Sequence, residues 1–266
     1  MELNFAIISL LIIFGLLSGL ISVIAGVGGG VFFVSILTLL FFIQIDIAVD
    51  TSTFVILLSS FAGFITYLKQ KRTNIKISLI FSAFSILGSI FASFLFSIIK
   101  IENTLLKILF ASTLLIAGIN MIYKAIKLKK QNKVQKDSSN NFSLEHHDYK
   151  TNLKKAIPLF ILAGFVANFL GIGGGIINTP ALNILLNFPI HNATAISTSI
   201  IFFTAIYNTI IKFISGQINM IVGILLAIGS IIGSIIGAKL SKRMPKLYLQ
   251  FFVASVLMIL AIRMFF

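Results

Sequence analysis

Read for hydrophobicity alone, the chain is a series of apolar runs cut by short polar turns. Phe5 to Ala25 is long enough to cross or nearly cross a bilayer; past a glycine cluster the apolar pattern continues for only 13 residues, Val31 to Ile43. Gln44 to Asp50 reads as a short acidic loop and Thr51 to Leu68 as a span. Lys69, Lys71, Arg72 and Lys76 mark a turn before the span Ile77 to Ile99. Lys100-Ile101-Glu102-Asn103 turns the chain into Thr104 to Ile126. From Lys127 to Lys155 the chain is polar and lysine-rich, which predicts a flexible linker. Ala156 to Leu170 (15 residues) and Ile176 to Leu186 (11) flank a second glycine cluster. A crossing takes about 20 residues at 1.5 Å each, so neither arm crosses alone and the spacing predicts a re-entrant hairpin. Thr194 to Ile214, Ile218 to Ala238 and Leu247 to Phe266 complete the pattern.

The two clusters are one motif, met twice: Gly26-Val27-Gly28-Gly29-Gly30 and Gly171-Ile172-Gly173-Gly174-Gly175, 145 positions apart. Glycine in a helix interior costs about 1 kcal/mol relative to alanine, so four in five residues predict a break. At membrane depth, irregular backbone persists only where protein or a water-filled cavity satisfies its polar groups. Matching breaks in two halves are the sequence mark of a transport site. The likeness extends further. Thr51-Ser52 answers Thr198-Ser199, Thr73-Asn74-Ile75 answers Gly216-Gln217-Ile218, Gly88 and Ala92 answer Gly233 and Gly237, and Ala111-Ser112 answers Ala254-Ser255. This is an internal duplication.

Composition agrees. With 58% hydrophobic and 11% charged residues and a mean hydropathy of +1.08 over 266 residues, the chain is a polytopic membrane protein. The predicted fold is an all-α membrane bundle of two inverted repeats, 1–126 and 156–266, joined by a cytoplasmic linker, 127–155; each repeat is a glycine-broken hairpin plus three spanning helices. Met1-Glu2-Leu3-Asn4 has no positive n-region, so the first span reads as a retained segment. The net charge of +14 does not indicate nucleic acid, because the basic residues sit in loops between spans. With inverted halves, 17 of the 21 Lys and Arg fall on one side, against 15 if the halves run parallel. The positive-inside rule places that side in the cytoplasm and both termini outside, in a multi-pass cell-membrane protein. Cysteine is absent, which removes disulfides and thiol chemistry.

Candidate chemistry centres on the breaks. Backbone N–H groups at half-helix N-termini can hold an anion near the midplane, which makes Gly26, Gly28, Gly29, Gly30, Gly171, Gly173, Gly174 and Gly175 candidate binding positions. Asn168, Asn178 and Thr179 flank the second tip, where the first half has Val23, Phe33 and Val34. The predicted site is therefore lopsided. Thr51, Ser52, Ser197, Thr198 and Ser199 could complete it or simply cap helix starts. Gly229, Gly233 and Gly237, at i, i+4, i+8, suit close helix packing. The spans carry no Asp, Glu or His, so no carboxylate relay is visible. Arg263 and Lys212 read as side chains snorkelling to the interface. Glu145-His146-His147-Asp148 lies in the linker and reads as solvated. No metal or cofactor is implied.

The paired Gly-x-Gly-Gly-Gly motifs, each followed about twenty residues on by a Thr-Ser pair, with the turn Gly216-Gln217-Ile218-Asn219, resemble the TauE/SafE sulfite exporters, also called toluene sulfonate uptake permeases. The resemblance covers both halves. It implies a transporter of sulfite, sulfonates or related sulfur-containing anions. Pro180 matches the proline that the family carries five residues after the last glycine, whereas Ser35 departs from it, and Asp50 stands where a glycine precedes Thr-Ser. The expected function is a secondary carrier for a small anion, with the lipid bilayer as surroundings and no nucleic acid as partner; a homo-oligomer is compatible with it. An anion channel shares these features. An intramembrane enzyme lacks a base or nucleophile partner in the spans, and a structural subunit would use the glycines only for packing.

Overall fold

The computed structural model describes residues 4–98, 102–131, 152–215, 217–241 and 246–265. Its elements, in order, are α1 (Phe5–Ala25), α2 (Gly30–Leu39), α3 (Ile45–Lys69), α4 (Ile75–Ile98), α5 (Asn103–Gln131), α6 (Leu153–Leu170), α7 (Gly175–Pro180) with a π-helical turn (Ala181–Leu185), α8 (Ile190–Ser215), α9 (Met220–Leu240) and α10 (Lys246–Phe265). All are helical. Among the described residues seven helices are apolar and long enough to cross a membrane: α1, α3, α4, residues 103–122 of α5, α6, α8 and α9. Large apolar side chains such as Phe91, Phe94, Ile116 and Ile259 point outward, as a lipid solvent requires. Most of the expected linker, with Glu145-His146-His147-Asp148, lies outside the described residues.

Both glycine clusters break their helices at the expected residues. The arms, however, are unequal. α1 has 21 residues and α6 has 18, whereas α2 has 10. α6 begins at Leu153 rather than Ala156, because the lysine pair Lys154-Lys155 forms its first turn; that brings it to crossing length. Each hairpin is thus one long arm and one half-length arm. Pro180 ends α7 and the chain loosens into a π turn, since proline supplies no N–H to the preceding turn. At the matching Ser35, α2 stays α-helical and the hydroxyl donates to Val31 O (2.7 Å).

The small-residue faces pack each half onto the other. Gly229, Gly233 and Gly237 on α9 lie against the backbone of Ile12, Leu16 and Leu20 on α1, so these helices run in the same direction. Gly15 and Gly19 return the contact to Leu226 and Ser230. The same arrangement recurs 145 residues away: Gly164 on α6 rests on Ser85 of α4, and Gly88 on Ile161. Ser85 and Ser89 donate to Phe160 O and Gly164 O across this seam. Between the two pairs lie α3 and α8. Gly63 abuts Thr198 and Thr209 Oγ1 donates to Thr53 O (3.4 Å), so these two run in opposite directions. α5 pairs with α10 at the periphery.

Two starts came earlier than the apolar pattern. α3 begins at Ile45, so the expected acidic loop is its first turns: Asp46 accepts from Ile47 N–H, and acids suit a helix N-terminus. α8 begins at Ile190, directly after Pro189, whose carbonyl accepts from the N–H groups of Asn192 and Ala193.

Candidate functional site

The two tips have one backbone shape. φ is 67, 104 and 71° at Gly26, Gly28 and Gly29, and 64, 84 and 72° at Gly171, Gly173 and Gly174. Three left-handed residues within four positions are open to glycine at little cost and to few other residues. Each tip then restarts a helix. Gly30 N–H donates to Gly28 O, and the N–H groups of Phe32 and Phe33 to Gly29 O; in the second tip those of Ile177 and Asn178 donate to Gly174 O.

The tips meet each other. A Cβ on Gly28 would lie 3.2 Å from Gly173 Cα, and one on Gly173 would lie 3.3 Å from Gly28 Cα. Gly30 faces Gly171 O and Gly175 faces Gly26 O, each with no room for a methyl. Six of the eight candidate glycines, Gly26, Gly28, Gly30, Gly171, Gly173 and Gly175, therefore share one contact zone at the crossing of the two hairpins, while Gly29 and Gly174 pack against Ser22 and Phe33 and against Ala163 of their own hairpins. Here the tips close on one another rather than on an open cavity.

Hydroxyls from α3 and α8 hold this crossing. Ser52 Oγ donates to Gly171 O (2.8 Å), and Ser197 Oγ donates to Gly26 O (3.0 Å), which also accepts from Thr179 Oγ1 (2.7 Å). Ser52 and Ser197 are separated by the same 145 positions as the glycines. From the glycines through these serines the duplication thus keeps one register, and the matching of Thr51-Ser52 with Thr198-Ser199 is shifted by two residues. Two residues turn a helix by about 200°, so Ser199 faces elsewhere. Its hydroxyl donates to Ala195 O and meets Thr73 Oγ1 (2.8 Å). The same register matches Asn74 with Asn219, not with Gln217. Asn74 Oδ1 accepts from Ile77 N–H and Asn219 Oδ1 from Val222 N–H, each capping a helix.

The other candidates are dispersed. Thr51 Oγ1 accepts from Asn219 N–H, tying the start of α3 to the start of α9. Thr198 Oγ1 donates to its own helix at Thr194 O, and its methyl lies beside Gly63. Asn168 commits its amide to α4, donating to Ser89 O (2.8 Å) and Ser93 Oγ (2.6 Å). Asn178 is buried and its Oδ1 has no partner among the described residues.

Polar groups that the apolar pattern concealed lie between α3 and α8. Thr53, Ile56, Ala167, Gly173, Ile201, Thr204, Ala205 and Asn208 line a cavity of about 10 Å3 against the second tip, room for about one water. Asn208 is buried and its Oδ1 is unpartnered among the described residues. Thr204, Asn208 and Lys212 recur at four-residue spacing, a polar stripe on one face of α8. Lys212 does not snorkel: its Nζ pairs with Asp50 Oδ1 at 2.9 Å, both side chains buried or nearly so. Asp50 belongs to a spanning helix, so the spans do carry a carboxylate.

At the opposite end of α3, Arg72 is buried without a carboxylate partner among the described residues. It donates to Gln70 Oε1, Ser241 Oγ (2.6 Å) and His191 O (2.8 Å), and its guanidinium lies 4.8 Å from the Tyr67 ring centroid. Burial pulls its pKa below the usual arginine value, and the neighbouring Tyr67 pulls it back. Tyr67 in turn donates to Val23 O, three residues before the first tip.

Compared with known proteins, residues 11–264 match the family description "Sulfite exporter TauE/SafE". The chain belongs to the TauE/SafE family. Two relatives with similar sequences are a "Probable membrane transporter protein YunE" of Bacillus subtilis (strain 168), 27% identical over 83% of this chain and 83% of that protein, and a "Probable membrane transporter protein MJ0441" of Methanocaldococcus jannaschii, 28% identical over 96% of this chain and 94% of that protein. No solved structure matches. This TauE/SafE chain is a multi-pass membrane transporter, in keeping with its seven crossing-length helices.

Proposed function

We propose that the protein is a secondary carrier for a small anion, of the sulfite or sulfonate class, working by alternating access around the two glycine tips. The observation that carries this reading is the reciprocal contact of the tips, Gly28 against Gly173, Gly30 against Gly171 O and Gly175 against Gly26 O. Broken helices meeting at a repeat interface are how carriers of this kind build a site at the midplane. The opposed directions of α3 and α8, which are counterparts in the two halves, support an inverted pair of repeats, 1–126 and 156–266, with the linker cytoplasmic and the termini outside. The description of the family as sulfite exporters supports the substrate class. Around the tips, backbone N–H groups at the starts of α2 and α7 supply positive ends for an anion. In the closed arrangement those ends face each other's carbonyls; parting of the repeats exposes them.

A channel would share the tips and the cavity. Counterflow separates the two. Proteoliposomes loaded with unlabelled sulfite or p-toluenesulfonate should accelerate entry of the labelled anion, whereas entry that internal anion does not accelerate indicates a channel.

A further inference from the structure

The Asp50–Lys212 pair stands at one end of a polar file. Thr53 is one turn deeper than Asp50 on α3, and Asn208 is one turn deeper than Lys212 on α8; both line the cavity beside Gly173. The unpartnered Asn208 Oδ1 belongs to the same file. The pair therefore lies at the outer end of a polar file that leads to the cavity beside the second tip. The register of the duplication puts Ala195 and Tyr67 at the corresponding places of the other half, so among the described residues the ion pair is found on one side alone. Lys212 is the ion-pair partner of Asp50. The other titratable or charged groups that the packed elements bring to this end are Asp46 on α3, Tyr207 on α8, Glu102 and Lys107 at the start of α5, and Arg263 near the end of α10. α1, α2 and α7 contribute none.

We propose that Lys212 is a contact for the transported anion and Asp50 its internal competitor, so that one proton enters with each anion. The inference rests on the anion-carrier reading above. As the structure stands, the Asp50 carboxylate occupies the place an anion would take on Lys212 Nζ. An arriving anion displaces it, and an ionised Asp50 beside that anion would leave one uncompensated negative charge in a dry, weakly polarisable setting, which is costly. A proton from bulk hydronium adds to the displaced carboxylate, giving a carboxylic acid and water. Lys212 and the anion are then the neutral pair. On release the acid gives its proton back to water and the Asp50–Lys212 pair reforms. The ion pair is thus both lock and coupling device.

The test uses p-toluenesulfonate, which stays an anion at every working pH, on purified protein in weakly buffered detergent with a pH indicator. Binding by wild type should take up one proton per anion and weaken about tenfold per pH unit while Asp50 starts ionised. Asp50→Asn should bind with no pH dependence and no proton uptake. Lys212→Met should lose at least about tenfold in affinity, and Asp50→Asn/Lys212→Met, which leaves no unpaired charge, should fold and bind no better than Lys212→Met. Wild-type binding without proton uptake, or an Asp50→Asn variant that keeps the tenfold slope, overturns proton coupling and leaves anion transport intact. Failure of p-toluenesulfonate, thiosulfate and sulfite to bind either wild type or Asp50→Asn at any pH overturns the anion reading and this inference with it.

Discussion

Gly28 and Gly173 are packed so closely that a Cβ on either would lie within 3.3 Å of the other's Cα. Around that contact the two tips differ in what backs them. A side chain at Gly29 would meet side-chain atoms, the Phe33 ring and Ser22, whereas one at Gly174 would meet the backbone carbonyl of Ala163. Both glycines have φ near 70°, and a valine forced there costs about 1–3 kcal/mol in strain. Gly29→Val should therefore keep more transport than Gly174→Val. Uptake per folded molecule checks this, and an equal or greater loss in Gly29→Val would count against a lopsided site.

The tip carbonyls predict a second asymmetry. Gly26 O accepts from both Ser197 and Thr179, while Ser52 is the one side-chain donor to Gly171 O among the described residues. Ser197→Ala should cost about 1 kcal/mol, and Ser52→Ala up to about 3 kcal/mol, because it leaves a buried acceptor short of a donor. Thermal unfolding in detergent should order them so.

Asn208 predicts a gain in stability at the expense of activity. An unpartnered buried polar atom costs about 1–3 kcal/mol, and leucine has a similar volume with nothing to satisfy. Asn208→Leu should unfold at a temperature no lower than wild type, yet transport more slowly, since it removes a polar wall of the cavity beside Gly173. Lower stability together with undiminished uptake would remove Asn208 from the route.

Much of this was legible in the residues. The positions of both breaks, the duplication, and the packing role of Gly229, Gly233 and Gly237 were all visible, because glycine has few reasons to cluster inside an apolar helix. The ion pair was hidden for a local reason. Asp46 and Asp50 make the start of α3 look like a loop, yet acids belong at a helix N-terminus. Once α3 begins at Ile45, Asp50 is in a span and within reach of Lys212. Ser197 was among the candidate hydroxyls, but its correspondence with Ser52 was obscured by the resemblance of two dipeptides; a constant separation of 145 residues was the better signal. The meeting of the two tips joins residues far apart in sequence; the repetition of the motif, not any single segment, points to it, and the residues that touch could not be read from it.

The proposed inverted arrangement predicts which sites an impermeant thiol reagent can reach. The chain has no cysteine of its own, so single substitutions report cleanly. In intact cells Asn4→Cys should be labelled and Ser139→Cys protected. The reverse result would contradict inverted repeats with a cytoplasmic linker.

The most direct test of the central claim, that substrate is handled where the glycine tips meet, compares Gly174→Val with Gly229→Val. Gly229 lies against the α1 backbone at Ile12, far along the packing seam, whereas Gly174 forms the second tip. Uptake of sulfite or p-toluenesulfonate into proteoliposomes, measured per folded molecule, should be abolished by Gly174→Val. Gly229→Val should lower the amount of folded protein but leave the activity of each molecule near that of wild type. Normal uptake by Gly174→Val, with uptake lost in a well-folded Gly229→Val, would contradict the account.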